Sequence, residues 1–159
     1  MIPVIQVDIN APIKLVWQVL TDFDRYPEWN PMILQIQNHS APSLGAKLKM
    51  KVQYPDGSVT HPTMEVTELV EPVEKALFIY SYRGWLSSLG LVVASRRQEL
   101  IDLGGGRTRY INKEFLGGLL KKYYPFENIE KGMREQIAQL TLRAEALHNS
   151  TSPSQTSPN

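Results

Sequence analysis

Two carboxylates and one amide near the end of the chain are the residues best placed for chemistry. Glu99, Asn112 and Glu114 lie in two neighbouring segments that alternate as β-strands do, on either side of the turn 104–106. A carboxyl group enclosed by apolar side chains has a raised pKa, which allows it to act as a general acid or base. The sequence therefore makes Glu99 and Glu114 the candidates for proton transfer.

The register of the last predicted strand decides whether these groups face the interior. One possible inward set is Tyr110, Asn112 and Glu114, and the other is Ile111, Lys113 and Phe115. A shift by one residue exchanges the two sets. Alternatively, either carboxylate forms an ion pair with Arg97 or Arg109 across the hairpin, and its role is then structural.

Other kinds of site find no support in the sequence. The chain has no cysteine, so it offers no thiolate ligand and no thiol nucleophile. The three histidines (His39, His61 and His148) share no helical face and fit no metal-ligand spacing. The net charge is +1 and the basic residues are scattered, which does not favour a phosphate-binding surface. We predict no metal site, no cofactor and no nucleic-acid partner.

A second group of candidates consists of methionine and tyrosine residues that alternate along the predicted strands. They are Met50, Tyr54, Met64, Tyr80, Tyr82 and Tyr110. Each one alone is typical of core packing. Together they favour a ligand-binding interior, because buried tyrosine hydroxyls need partners and methionine adapts to varied shapes. Trp85 lies in the apolar, glycine-interrupted segment 83–94 and either borders a cavity opening or packs in the core.

The positions of these residues depend on predicted strands and on one long amphipathic helix. The predicted strands cover 2–9, 32–37, 47–54, 59–70, 74–82, 95–103 and 107–116. Two short helices are expected between the first two strands, one over 12–20 and one beginning at Asp24. A helix over 126–147 has an apolar stripe that includes Ile129, Met133 and Ile137, which we expect to face the cavity. Segregated strands and helices predict an α+β fold.

The length and composition predict one domain, residues 1–148, followed by a tail. Residues 149–159 are Ser, Thr, Pro, Gln and Asn, so we expect this segment to be disordered. No signal-peptide pattern and no apolar run of about 20 residues is present, so we expect no integral membrane segment. These features predict a cytoplasmic protein.

Three passages of the sequence resemble one protein superfamily. They are Ala11-Pro12 with Val16-Trp17, Leu20-Thr21-Asp22, Tyr26-Pro27 and Trp29-Asn30-Pro31; Arg83-Gly84-Trp85-Leu86 with Leu89-Gly90-Leu91; and Gly106-Arg107-Thr108-Arg109-Tyr110 with Glu114-Phe115 and Gly117. In this order they resemble the SRPBCC superfamily of START-domain and birch-pollen-allergen relatives, and most of all its polyketide cyclase/dehydrase-like branch. The resemblance implies a helix-grip fold. In that fold a curved seven-stranded antiparallel sheet surrounds the C-terminal helix, and a cavity lies between them.

The same resemblance implies a small hydrophobic partner. The leading hypothesis is binding of a lipid-, isoprenoid- or polyketide-like molecule in the cavity. A second hypothesis is a cyclase, aromatase or dehydratase that uses cavity carboxylates, and it requires a buried polar pair within hydrogen-bond reach on the cavity wall. A third is an interaction module with a filled core. The residues by themselves leave the three open, because one fold carries many functions.

Overall fold

The computed structural model describes residues 4–37 and 39–151 as one α+β unit. The strands are β1 (Val4–Ile9), β2 (Ile33–Gln37), β3 (Lys47–Gln53), β4 (Val59–Thr60), β5 (Thr63–Val70), β6 (Lys75–Tyr82), β7 (Val93–Gly104) and β8 (Arg107–Gly117). The α-helices are α1 (Ile13–Thr21), α2 (Tyr26–Trp29), α3 (Trp85–Ser88) and α4 (Phe126–Thr151). Single 3-10 turns cover Phe23–Arg25 and Lys121–Tyr123.

The sheet is antiparallel and curved, with strand order β1-β8-β7-β6-β5-β3-β2. The two-residue strand β4 pairs with β3 beside this seven-stranded path. Strand β3 shows how the sequence sets the faces, because its lysines are exposed while Leu48, Met50 and Val52 are buried. This alternation is what an antiparallel sheet with one covered face requires.

Helix α4 lies along the covered face of the sheet. Its buried residues are Ile129, Gly132, Met133, Gln136, Ile137, Leu140 and Ala144. Two polar contacts hold its C-terminal half against the first half of the chain: Arg143 pairs with Glu28 at 2.7 Å, and Glu145 accepts a 3.0 Å hydrogen bond from the Asn10 side chain. Near its start, Gly132 lies so close to Met32 that an added Cβ would be 3.2 Å from the sulfur. The missing side chain therefore lets α4 approach this part of the sheet.

The predicted helix-grip fold is confirmed, with local differences in the elements. The predicted strand 59–70 is divided into β4 and β5, because Pro62 lies between them and has no N–H to donate. The irregular segment 83–94 contains the single turn α3. Helix α4 continues to Thr151, past the predicted end at 147, and the Ser150 hydroxyl donates a 2.9 Å hydrogen bond to the Leu147 carbonyl.

Two expectations concern regions at or beyond the limits of the structure. Residues 149–151 of the predicted tail are helical, and residues 152–159 lie outside the described residues. Within 4–37 and 39–151, no helix combines the length and hydropathy that crossing a membrane would require.

Candidate functional site

A cavity of about 280 Å³ lies between the sheet and the first turn of α4. Its lining residues are Met32, Ile33, Met50, Val52, Tyr54, Thr60, Pro62, Met64, Tyr80, Tyr82, Val92, Ala94, Arg96, Glu114, Leu116, Tyr124, Pro125 and Ile129. Exposed Thr60 and Pro125 lie at its solvent side, whereas Tyr80, Arg96 and Glu114 are buried at its inner end. We call these last three residues the polar floor.

The structure brings seven of the sequence-predicted site residues to the cavity wall. They are Met50, Tyr54, Met64, Tyr80, Tyr82, Glu114 and Ile129. Sequence alternation selected the six residues of the predicted strands, because strand residues at even spacing share a face and the concave face of this sheet lines the cavity. The apolar stripe of α4 selected Ile129.

The other predicted cavity residues do not line the wall. Tyr110, Asn112, Met133 and Ile137 are buried but are not among the residues that line the cavity. Trp85 is 70% exposed and faces solvent at α3, so it neither packs in the core nor lines the cavity. The sequence left Trp85 either at a cavity opening or in the core, and the structure shows neither, because the turn α3 sets its direction and no periodicity does.

Glu99 lies on the opposite face of the sheet from the polar floor. Its carboxylate lies 3.4 Å from Nε of Arg97 on the same strand, and the Glu99 side chain is 20% exposed. The structural alternative predicted such a pair across the hairpin, but the contact lies within β7. Glu99 is not among the residues that line the cavity. Glu114 is therefore the carboxylate of the cavity.

The pairing of β7 with β8 determines which residues face inward. Arg96 is opposite Glu114, Gln98 is opposite Asn112, and Leu100 is opposite Tyr110. All six are buried, while Phe115 on the other face is 48% exposed. The inward set of β8 is therefore Tyr110, Asn112 and Glu114.

A buried ion pair forms the centre of the polar floor. Arg96 Nε donates to Glu114 Oε2 at 2.5 Å, and both side chains are less than a tenth exposed. Arg96 Nη1 also donates to Gln136 Oε1 of α4 at 3.1 Å. Nη1 and Nη2 also point toward the Met32 sulfur at 3.7 and 3.8 Å, and a thioether is a weak acceptor. The guanidinium thus connects β7, β8 and α4.

Arg96 is a candidate site residue that was not predicted from the sequence. A charged residue in an alternating strand is ordinarily expected on the exposed face. The sequence offered one indication of its burial. If Glu114 faces inward, the residue opposite it in the hairpin, which is Arg96, must face inward as well. That argument needs the register of the turn 104–106, and three consecutive glycines leave the register undetermined.

The electrostatics of the pair follow from burial and mutual attraction. Burial raises the pKa of Glu114, and the positive charge of Arg96 opposes that rise. Burial alone disfavours charge on Arg96, but the neighbouring Glu114 carboxylate outweighs it and raises the pKa of Arg96. Arg96 therefore stays cationic, and Glu114 balances its charge.

The Tyr80 hydroxyl is the unsatisfied group of the polar floor. It is buried and lies beside the Arg96 guanidinium, but its geometry completes no hydrogen bond within the described residues. Burial also raises the pKa of Tyr80, so the hydroxyl is a neutral donor. Native structures rarely leave such a group without a partner, and an aromatic hydroxyl at a cavity wall can donate to a bound molecule.

Two local contacts involve residues of the cavity wall or their sequence neighbours. The lining residue Tyr82 lies over Gly84, where an added Cβ would be 2.1 Å from the Tyr82 hydroxyl. Asn128, which precedes the lining residue Ile129 in α4, donates a 2.6 Å hydrogen bond to Asp56 of the β3–β4 turn. The second contact joins the start of α4 to that turn.

The arrangement can bind an apolar molecule, orient one polar group on it and exchange a proton with it. A metal site is not indicated, since residues 4–37 and 39–151 contain no cluster of three His, Cys, Asp or Glu side chains that could hold an ion.

The sequence was compared with protein families and with curated proteins. Residues 4–145 match the family described as polyketide cyclase / dehydrase and lipid transport. None of the curated proteins matches the sequence.

Solved structures with the same fold cover most of the chain at low sequence identity. A hypothetical protein from Helicobacter pylori has a TM-score of 0.74 at 13% identity, covering 91% of this chain and 88% of that one. The di-domain ARO/CYC protein BexL of the BE-7585A biosynthetic pathway has a TM-score of 0.66 at 17% identity, covering 91% of this chain and 50% of that one. A START superfamily protein from Mycobacterium smegmatis has a TM-score of 0.64 at 18% identity, covering 95% and 99%. At these identities the likeness concerns the fold.

Proposed function

We propose that this chain, which belongs to the polyketide cyclase / dehydrase and lipid transport family, binds a small hydrophobic or aromatic molecule in the cavity. The observation that carries the proposal is a 280 Å³ cavity with apolar walls and a buried polar floor. Ligand sites commonly have this composition, in which apolar walls supply affinity and a few polar groups fix orientation.

The apolar wall provides the driving force for binding. Burying about 200 Å² of an aromatic ligand contributes roughly 5 kcal/mol at about 25 cal/mol per Å². Part of this gain is offset by the lost freedom of the ligand. Met50 and Met64 on the wall have flexible side chains, which suits a site that accepts several related shapes.

The polar floor provides the orientation. A ligand oxygen at the inner end would accept a hydrogen bond from the Tyr80 hydroxyl, which has no other partner among the described residues. It would also compete with the Met32 sulfur for the remaining N–H groups of Arg96. The oxygen-bearing end of the ligand therefore lies inward and its apolar end lies toward the opening.

Substitution of Ala94 by phenylalanine tests the cavity. Ala94 lines the wall and is opposite Leu116 in the hairpin, so a ring at this position occupies the cavity without replacing a large core residue. Lys113→Phe is the matched control, since it adds the same ring to the outer face of the same hairpin.

The readout is isothermal titration with 2-naphthol, together with circular dichroism to confirm folding. Ala94→Phe is expected to abolish binding, and Lys113→Phe is expected to leave it unchanged. Equal affinity of the wild type and a folded Ala94→Phe variant for 2-naphthol would exclude the cavity as the binding site.

A second candidate function is an enzyme of the cyclase, aromatase or dehydratase type. The observation that favours it is the Arg96–Glu114 pair within hydrogen-bond reach on the cavity wall. In that function Arg96 and Tyr80 would stabilise negative charge on a carbonyl oxygen, while Glu114 would transfer the proton. Incubation with a linear poly-β-ketoester, which can close a ring by intramolecular aldol addition and then lose water, distinguishes the two functions. Product that forms with wild type and not with Glu114→Gln indicates catalysis, and unchanged ligand recovered from the complex indicates binding.

A further inference from the structure

We infer that the cavity selects uncharged, oxygen-bearing apolar molecules such as phenols, alcohols and ketones, and rejects carboxylates of the same shape. This inference rests on the proposed binding function and assigns its ligand class. It follows from the charge balance of the polar floor and from the one hydroxyl there that has no partner in the described part of the chain.

The charge balance is set by two side chains. Of the lining residues that the structure describes, only Arg96 and Glu114 are charged. They are 5% and 6% exposed, and they contact each other directly. The inner end of the cavity therefore has a net charge near zero, although it contains an arginine.

A carboxylate ligand would have no available counter-charge at this floor. Its charge would lose hydration in the cavity, and the buried Glu114 carboxylate would repel it. Arg96 cannot compensate fully, because its Nε is already used by Glu114 and its Nη1 donates to Gln136. A buried arginine by itself would predict an anion site, but the Glu114 partner reverses that prediction.

A neutral oxygen, in contrast, meets groups that need a partner. The Tyr80 hydroxyl is buried without one among the described residues. The Arg96 N–H groups that face Met32 have only a thioether as acceptor. A phenol or ketone oxygen can satisfy these donors without bringing a charge into the cavity.

The test compares three naphthalene derivatives of nearly equal size. At neutral pH, 2-naphthol is uncharged, 2-naphthoate is an anion, and naphthalene has no oxygen. Titration calorimetry on the wild-type protein is expected to give the tightest binding for 2-naphthol, with 2-naphthoate weaker by about tenfold or more. Glu114→Gln is expected to reverse the preference, because it leaves the Arg96 cation free to pair with the naphthoate.

Glu99→Gln is the control, since it removes a carboxylate from the outer face of the same hairpin. It is expected to leave all three affinities unchanged. Wild-type protein that binds 2-naphthoate as tightly as 2-naphthol overturns this inference and leaves the proposed function intact. A folded Glu114→Gln variant that keeps the wild-type preference also overturns it. If the wild type binds none of the three compounds, the proposed function fails and this inference fails with it. The wild-type comparison decides the matter even where Glu114→Gln does not fold.

Discussion

Replacing Tyr80 with phenylalanine should make the unliganded protein more stable and the complex weaker. The substitution removes one oxygen atom and keeps the ring, which packs against Phe78 with ring centroids 5.1 Å apart. In the unliganded protein the Tyr80 hydroxyl is buried and has no partner among the described residues. In the complex we propose, the same hydroxyl donates to the ligand. The substitution should therefore stabilise the unliganded protein and weaken the complex.

The expected magnitudes follow from the cost and gain of one hydrogen bond. A buried hydroxyl without a partner costs about 1–3 kcal/mol, so its removal should stabilise the unliganded protein by about 1 kcal/mol or more. For a chain of this size, 1 kcal/mol corresponds to a rise in Tm of roughly 2–4 °C. The net gain of about 0.5–1.5 kcal/mol per hydrogen bond corresponds to an affinity for 2-naphthol that falls by about two- to tenfold.

The assay combines urea unfolding of the free protein with calorimetric titration of 2-naphthol and naphthalene. Tyr26→Phe is the matched control, because the Tyr26 hydroxyl is equally buried but donates to the Leu20 carbonyl at 2.6 Å. That variant should lose about 1 kcal/mol of stability and keep its affinity. Tyr80→Phe should keep its affinity for naphthalene. A Tyr80→Phe protein that is less stable than wild type, or that binds 2-naphthol with unchanged affinity, would refute the reasoning.

Two further predictions concern the buried ion pair. Arg96→Met should destabilise the protein by about 3–5 kcal/mol in urea unfolding, because it leaves the Glu114 carboxylate buried and unpaired. The double variant Arg96→Met/Glu114→Gln should recover much of that loss. A double variant no more stable than Arg96→Met would contradict the pairing. The pKa of Glu114 in the folded state is raised above its ordinary value of 4.5, so the folded protein favours the protonated carboxyl. The stability that this carboxyl contributes is fully present below the unfolded-state pKa, and it is lost as pH rises through the folded-state pKa. The stability of wild type relative to Glu114→Gln should therefore decrease from pH 4 to pH 8 in urea unfolding, and a constant difference would show that the carboxyl titrates equally in both states.

The parts of the fold that sequence predicted are those in which periodicity and burial agree. The apolar stripe of α4 was identified from steps of three and four, and Ile129, Met133 and Ile137 are buried as expected. Strand β3 was identified from alternation, and Met50 faces the cavity. In both cases the spacing of the apolar residues reflects which face is buried, so the buried face can be predicted from the sequence.

The parts that sequence left open depend on contacts between distant residues. The burial of Arg96 is stabilised by Glu114 on the next strand and by Gln136 on α4, 18 and 40 residues away in sequence. No local pattern contains that information. Trp85 shows the reverse case, since its apolar surroundings in sequence predicted a place at a cavity opening or in the core, yet at the turn α3 its side chain is exposed to solvent.

The pairing of Arg96 and Glu114 within one hairpin has a consequence for how the chain folds. The two residues face each other across adjacent strands, so formation of the β7–β8 hairpin is enough to bring them together. Helix α4, which covers the guanidinium through Gln136, comes later in the chain and docks by longer-range contacts. We expect the charges to be paired while they are still hydrated, so that the folding pathway avoids an isolated buried charge. The energetic coupling between the two residues should therefore appear already in the folding rate, and coupling that appears only in the unfolding rate would exclude this order.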